Sequence, residues 1–343
     1  MRTLLGIAAL VATAGGELLK PACERKQKAV STWLRWRDCA RNSKDPKDRA
    51  RYSCWHSGWQ LTPDEPFGPF LALQDIVAHV DFAESSPYYA TVGGPDDETR
   101  PRALANDVRG LYFDTHVPSD TVLTPVRGLV SPASVVAALE SDGAPRDFDF
   151  LKLDLDGFEC DILEALVAAG FRPKVVVSEA SPAWPPPLKF RLAYDPSPPP
   201  ASRKCRGRVE WNSAGGEFFY GCSLQAMADL LEPYEYSLVQ YNMEDAWFVR
   251  DEARAARGGL PRRTPADAYA EGNPHFYFRN NDGNATVSHA LRRVVCDPGR
   301  GDVLEHVVAL FEAHSGLRVA DFAHDRGLGI SARLPHCSRR LGR

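Results

Sequence analysis

From Tyr88 onward, short apolar runs alternate with stretches of helical spacing, the pattern of a βαβ sheet covered by helices on both faces. Tyr89-Ala90-Thr91-Val92 ends at Gly93-Gly94, and Gly110-Leu111-Tyr112-Phe113 ends at Asp114. Val122 to Val130 is a weaker third strand. Ser131-Pro132 then opens a helix over Ala133 to Glu140, with serine as cap and proline in the first turn. Phe148 to Leu155 reads as the fourth strand and ends at Asp156-Gly157. Ile162, Leu163, Leu166 and Val167 fall on one face of the next helix, which Gly170 terminates. Lys174 to Val177 is the fifth strand, ending at Ser178-Glu179.

A proline-rich stretch follows, Pro182 to Pro200, and reads as a long ordered loop. Ser223 to Leu231 then has helical spacing. The runs Tyr236 to Tyr241 and Ala246 to Arg250 lie four residues apart, a gap that permits a hairpin and forbids a parallel crossover. The expected fold is a mostly parallel α/β sheet closed by an antiparallel hairpin.

Outside this block the pattern is thinner. Residues 20 to 60 place Trp33, Leu34, Trp36 and Cys39 at near-helical spacing among bases, which reads as an amphipathic helix held by disulfides. After Asp251 come an Arg/Gly/Pro-rich stretch to Pro274, the aromatic patch His275 to Phe278, and one clear helix from Val303 to His314. The expected organisation is a signal peptide over 1–14, a basic Cys- and Trp-containing segment over 15–75, the α/β domain over 76–250 and a C-terminal extension over 251–343.

Composition narrows the class. The 343 residues are 44% apolar and 25% charged, which excludes a disordered tail or a fibre. With 45 acids against 41 bases the formal charge is −4, so no nucleic-acid partner is expected, although Lys20 to His56 holds eleven bases and four acids. The longest uncharged run, Thr3 to Gly16, is too short to span a bilayer. Met1-Arg2, the apolar Leu4 to Val11 and the small-residue site Ala12-Thr13-Ala14 read as a secretory signal peptide. An N-terminal helix and an organelle presequence are the alternatives, the latter because no acid precedes Glu17. Eight cysteines, three of them (Cys23, Cys39, Cys54) in the basic segment, suit an oxidising compartment, but spacing leaves their pairing open. No zinc-like Cys/His spacing occurs, so no metal site is assigned.

In an open α/β sheet, ligands bind beyond the carboxyl ends of the strands, where the strand order reverses. Gly93, Gly94, Asp114, Asp154, Asp156 and Glu179 all fall at such ends. Glycines admit a close backbone approach, and a carboxylate after the second strand suits ribose hydroxyls. Asp154 suits an ammonium group, and Asp156 or Glu179 suits a base that deprotonates a hydroxyl. Histidine is absent between His116 and His275, which removes the usual base from the core. The structural alternatives are a Lys152–Asp154 pair, Asp156 as a turn residue, Asp114 as a cap and Glu179 bonding within its own loop.

The run Asp149-Phe150-Leu151-Lys152-Leu153-Asp154-Leu155-Asp156-Gly157-Phe158-Glu159-Cys160-Asp161-Ile162-Leu163, with Pro173-Lys174-Val175-Val176-Val177-Ser178-Glu179, resembles FkbM-type S-adenosylmethionine-dependent methyltransferases. Pro185-Pro186-Pro187 and Phe219-Tyr220-Gly221-Cys222-Ser223-Leu224 look like a eukaryotic branch of that family. The resemblance covers Tyr88 to Arg250. It implies a class I methyltransferase-like (Rossmann-like) fold and O-methylation of a hydroxyl on a glycan or small metabolite; the signal-peptide reading places that activity in the secretory lumen or outside the cell. It also implies that Asp114, Asp154, Asp156 and Glu179 line the cofactor and acceptor sites. The glycine-rich loop is reduced to Val92-Gly93-Gly94-Pro95, and seventeen residues separate Val92 from Gly110. A pseudo-methyltransferase serving as a binding protein is therefore the alternative. A nicotinamide oxidoreductase ranks third, because no Gly-x-Gly-x-x-Gly is present.

Overall fold

The computed structural model describes residues 76, 79–82, 87–93, 108–114, 122–128, 130–155, 157–181, 184–194, 221–242, 245–257, 259–272, 322–325 and 329–333. The expected signal peptide, the basic segment with its cysteines and tryptophans, Gly94, His116, Asp156 and the helix at 303–314 lie outside the described residues.

Seven strands form the main sheet: β1 (Tyr88–Gly93), β2 (Arg109–Phe113), β3 (Thr124–Val126), β4 (Phe150–Asp154), β5 (Val175–Glu179), β7 (Tyr236–Asn242) and β8 (Asp245–Arg250). Their order is β3-β2-β1-β4-β5-β8-β7. β1 pairs parallel with both β2 and β4, and β4 pairs parallel with β5. β8 runs against both β5 and β7, so it alone is reversed. The chain steps outward from β1 through β2 to β3, then returns to the other side of β1 for β4. The switch point therefore lies between β1 and β4.

The first helix, α1 (Pro132–Ser141), starts where the sequence signals it. Ser131 and Ser134 form a reciprocal capping box, with each side chain bonded to the other's backbone N–H at 3.1 and 2.8 Å. Next, α2 (Glu159–Ala168) buries Ile162, Leu163, Leu166 and Val167, and the chain leaves it through Gly170 at φ +87°. In α3 (Leu224–Leu231), Ser223 is the cap, accepting from the Ala226 amide at 3.2 Å.

Strand alternation divides the core in two. Ala90, Val92, Leu151, Leu153 and Val176 pack with Val135, Leu139, Ile162 and Met227 on one face. Tyr89, Phe150, Val175, Val177, Trp247 and Val249 pack with Ile76, Val80, Ala253 and Leu260 on the other. Tyr89 and Phe150 stack at 4.9 Å, with Trp247 edge-on to Phe150.

Two findings differ from the sequence reading. The stretch Pro182 to Pro200 is not all loop: it contains β6 (Lys189–Ala193), which pairs parallel with β10 (Gly329–Arg333), itself antiparallel to β9 (Phe322–Asp325). The Arg/Gly/Pro-rich stretch after Asp251 holds α4 (Asp251–Arg257) and α5 (Pro265–Gly272). On α5, Ala268 and Tyr269 enter the first core, with Tyr269 stacked on Tyr241 at 5.8 Å. At Gly272 a Cβ would stand 1.8 Å from the Tyr241 carbonyl oxygen, so only glycine permits this approach to β7.

Candidate functional site

The switch point brings four of the sequence-selected residues to one edge. Gly93, last in β1, is the register partner of Asp154, last in β4. Its φ is +83°, and a Cβ there would lie 1.8 Å from the Asp154 carbonyl oxygen. A side chain at this position would part the two strands. The Thr91 hydroxyl donates to the Gly93 carbonyl at 3.2 Å and tightens the strand exit. Phe113, opposite Val92, places Asp114 beside this exit, where it is 7% exposed. Glu179, last in β5, is 6% exposed. The Tyr241 hydroxyl donates to the Ala180 carbonyl at 2.9 Å, and the Ser181 amide donates to the Cys222 carbonyl at 2.8 Å. Those two bonds hold the backbone that leaves Glu179.

The edge also holds an acid that the strand-end rule overlooks. β8 is reversed, so its first residue, Asp245, sits among the last residues of its neighbours, opposite Glu179. Lys152, 1% exposed, shares the face of Phe150 and reaches this edge from within β4. Its Nζ lies 2.6 Å from Asp245 Oδ1 and 3.7 Å from Asp154 Oδ2. The Lys152–Asp154 pair weighed from sequence is thus present, and Asp245 is the closer partner. Burying an ammonium demands such partners, since an unpaired charge in the interior costs several kcal/mol. Asp154 and Asp245 keep 34% and 24% of their side-chain surface exposed, so each also meets solvent. Together Asp114, Asp154, Glu179, Asp245 and Lys152 carry a formal −3, which favours a cationic or hydroxyl-bearing ligand over an anion.

Glu159 is the second residue without an assigned role in the sequence reading. It opens α2 and is fully buried, although first-turn acids normally face water. Its Oε1 accepts from the amides of Leu155 and Gly157 at 3.1 and 2.9 Å. Phe158 provides no side-chain cap, so Glu159 instead ties the entering turn to the helix. Burial pushes its carboxyl up to about 7; the negative charge of Asp154 adds to this, and the backbone hydrogen bonds oppose it. Oε2 is buried with no hydrogen-bond partner among the described residues. It faces Gly221, at φ +67°, where a Cβ would stand 3.1 Å away. The residue that follows each partner of this contact closes it covalently, because Cys160 and Cys222 form a disulfide.

The proline-rich segment packs against the same region. Trp184 is fully buried and stacks on Phe190 at 4.4 Å. Arg191 of β6 is held by Asp161 of α2, at 2.6 Å from Nε, and also by Glu164.

Among the described residues, no three His, Cys, Asp or Glu side chains are grouped to hold a metal ion, and no helix is long and apolar enough to cross a membrane. No family model, curated protein or solved structure matches the chain.

Proposed function

We propose that this protein is an S-adenosylmethionine-dependent methyltransferase of the class I type, acting on a hydroxyl of a glycan or small metabolite. The observation that carries the reading is the seven-strand order with β8 alone reversed, together with acids at the carboxyl ends of β2, β4 and β5 beside a β1 exit that only glycine can make. The donor set fits the cofactor. A buried carboxylate at Asp114 suits a ribose diol, Asp154 suits an ammonium group, and the excess negative charge suits a sulfonium cation. When bound, S-adenosylmethionine supplies an electrophilic methyl group whose leaving thioether is neutral. The chain's own work is then alignment and removal of one proton from the acceptor hydroxyl, a role for Glu179 or Asp156. The Cys160–Cys222 disulfide supports a secretory or extracellular setting.

A non-catalytic binding protein of the same architecture is the second reading. It is favoured by the engagement of Lys152 with Asp154, which ties part of the expected ammonium site to an internal partner. The two readings separate by calorimetric titration of oxidised protein with S-adenosylmethionine and S-adenosylhomocysteine, beside Asp114→Ala. Micromolar binding by the parent, weakened at least tenfold in a folded variant, is the expected outcome. A folded parent that binds neither ligand would remove the methyltransferase reading and leave the binding protein.

A further inference from the structure

We propose that Glu159 is the positioning residue of the turn after β4: it clamps the amides of Leu155 and Gly157 and thereby sets where the Asp154 carboxylate stands. The structural part of this inference is independent of the activity, while its catalytic consequence rests on the methyltransferase reading.

The geometry is specific to this role. A single oxygen of Glu159 gathers the amides of Leu155 and Gly157, one residue before and one after Asp156. Among the described residues neither amide has another acceptor, at the place where a strand gives way to a helix. An apolar side chain of similar volume would fill the space without burying a carboxylate, but it would leave both amides unbonded. The acid is held there from two further directions. Gly221, at φ +67°, lies against Oε2 so closely that a Cβ there would press on it at 3.1 Å, and the Cys160–Cys222 bond joins the residues that follow the two. Asp154 is the residue immediately before Leu155, so the first clamped amide belongs to the peptide group that Asp154 itself begins. Displacing that peptide changes the direction in which Asp154 leaves β4.

Glu159→Gln and Glu159→Met in the full oxidised chain test the proposal. Gln keeps an oxygen for both amides, whereas Met keeps the volume and removes both acceptors. Amide hydrogen exchange, resolved at Leu155 and Gly157, is the first readout. The expected result is exchange in Gln within about threefold of the parent and at least roughly tenfold faster in Met, with β2 and β5 amides unchanged. Methyl-transfer kinetics are the second readout. The expected result is a kcat at least roughly tenfold lower in Met and recovered in Gln. If Met does not fold, Gly221→Ala, whose Cβ meets Oε2, is expected to speed the same two amides. Unchanged exchange in Met, or equal loss of protection in Gln and Met, would overturn the clamp. A parent that protects these amides but neither binds cofactor nor transfers methyl would retain the clamp and refute the proposed function.

Discussion

Raising the pH through the neutral range should weaken this protein through one carboxyl group, Glu159, and replacing that group by glutamine should abolish the effect. Its folded pKa of about 7 stands against an ordinary value of 4.5, and the first cause is burial. Between those two values the folded chain keeps a proton on Glu159 that the unfolded chain has lost. The folded state therefore binds more protons, and stability falls as pH rises, by about 1.4 kcal/mol per pH unit over that window. The contribution is complete below about 4.5 and gone above about 7, a total of about 3 kcal/mol. Oε1 can accept from Leu155 and Gly157 in either protonation state, so Glu159→Gln preserves both bonds while removing the buried charge. Urea unfolding of parent and variant at pH 5, 6, 7 and 8 measures the difference, in which the other titrating groups largely cancel. The variant should be ahead by less than about 1 kcal/mol at pH 5 and by about 3 kcal/mol at pH 8. Parallel pH profiles, or a variant weaker by the same amount throughout, would refute the account of Glu159 as a buried, desolvated acid.

Two other substitutions probe the edge itself. Lys152→Met should destabilise by about 3 kcal/mol, the low end for breaking a buried pair because Asp154 and Asp245 remain partly hydrated, and a second change, Asp245→Asn, should recover part of that loss; additive effects in a double-mutant cycle would show that the 2.6 Å contact is not an energetic coupling. Gly93→Ala should cost more than about 2 kcal/mol, since it combines a positive φ with a Cβ driven against the Asp154 carbonyl, and a melting temperature within a degree of the parent would mean that β1 and β4 can separate there at no cost.

The fold was largely legible because its signals are local. Apolar runs of strand length, a serine-proline helix start and a four-residue hairpin gap each reach only a few residues, and each reappears as β1, β2, β4, β5, α1 and the β7–β8 pair. What escaped was set by distant contacts. β6 lies in a proline-rich stretch whose local propensity opposes a strand, and its partner β10 is more than 130 residues away. Helix α5 is short, and what fixes it is Tyr269 stacking on Tyr241 with Gly272 against the same residue, neither of which its own eight residues announce.

The candidate site divides along the same line. Gly93, Asp114, Asp154 and Glu179 could be found by asking what stands at the end of each strand, because parallel strands deliver their last residues to one edge. That rule inverts for a reversed strand, and so it passes over Asp245, whose place at the start of β8 brings it to the same edge. It also passes over side chains that reach the edge from behind. Lys152 sits two residues short of the end of β4, and its length carries Nζ to Asp245. Glu159 sits beyond the turn and folds back onto it. Both share a sequence signal that could have been read physically: a charged residue at a position whose periodicity demands burial. In Phe150-Leu151-Lys152-Leu153 the lysine occupies the same face as a core phenylalanine, and Glu159 precedes Cys160 at the start of a helix whose buried stripe it joins. An ionisable group in such a place requires a partner. For Lys152 that partner is a carboxylate pair at the edge where the parallel strands end, and for Glu159 it is the backbone of the turn after β4.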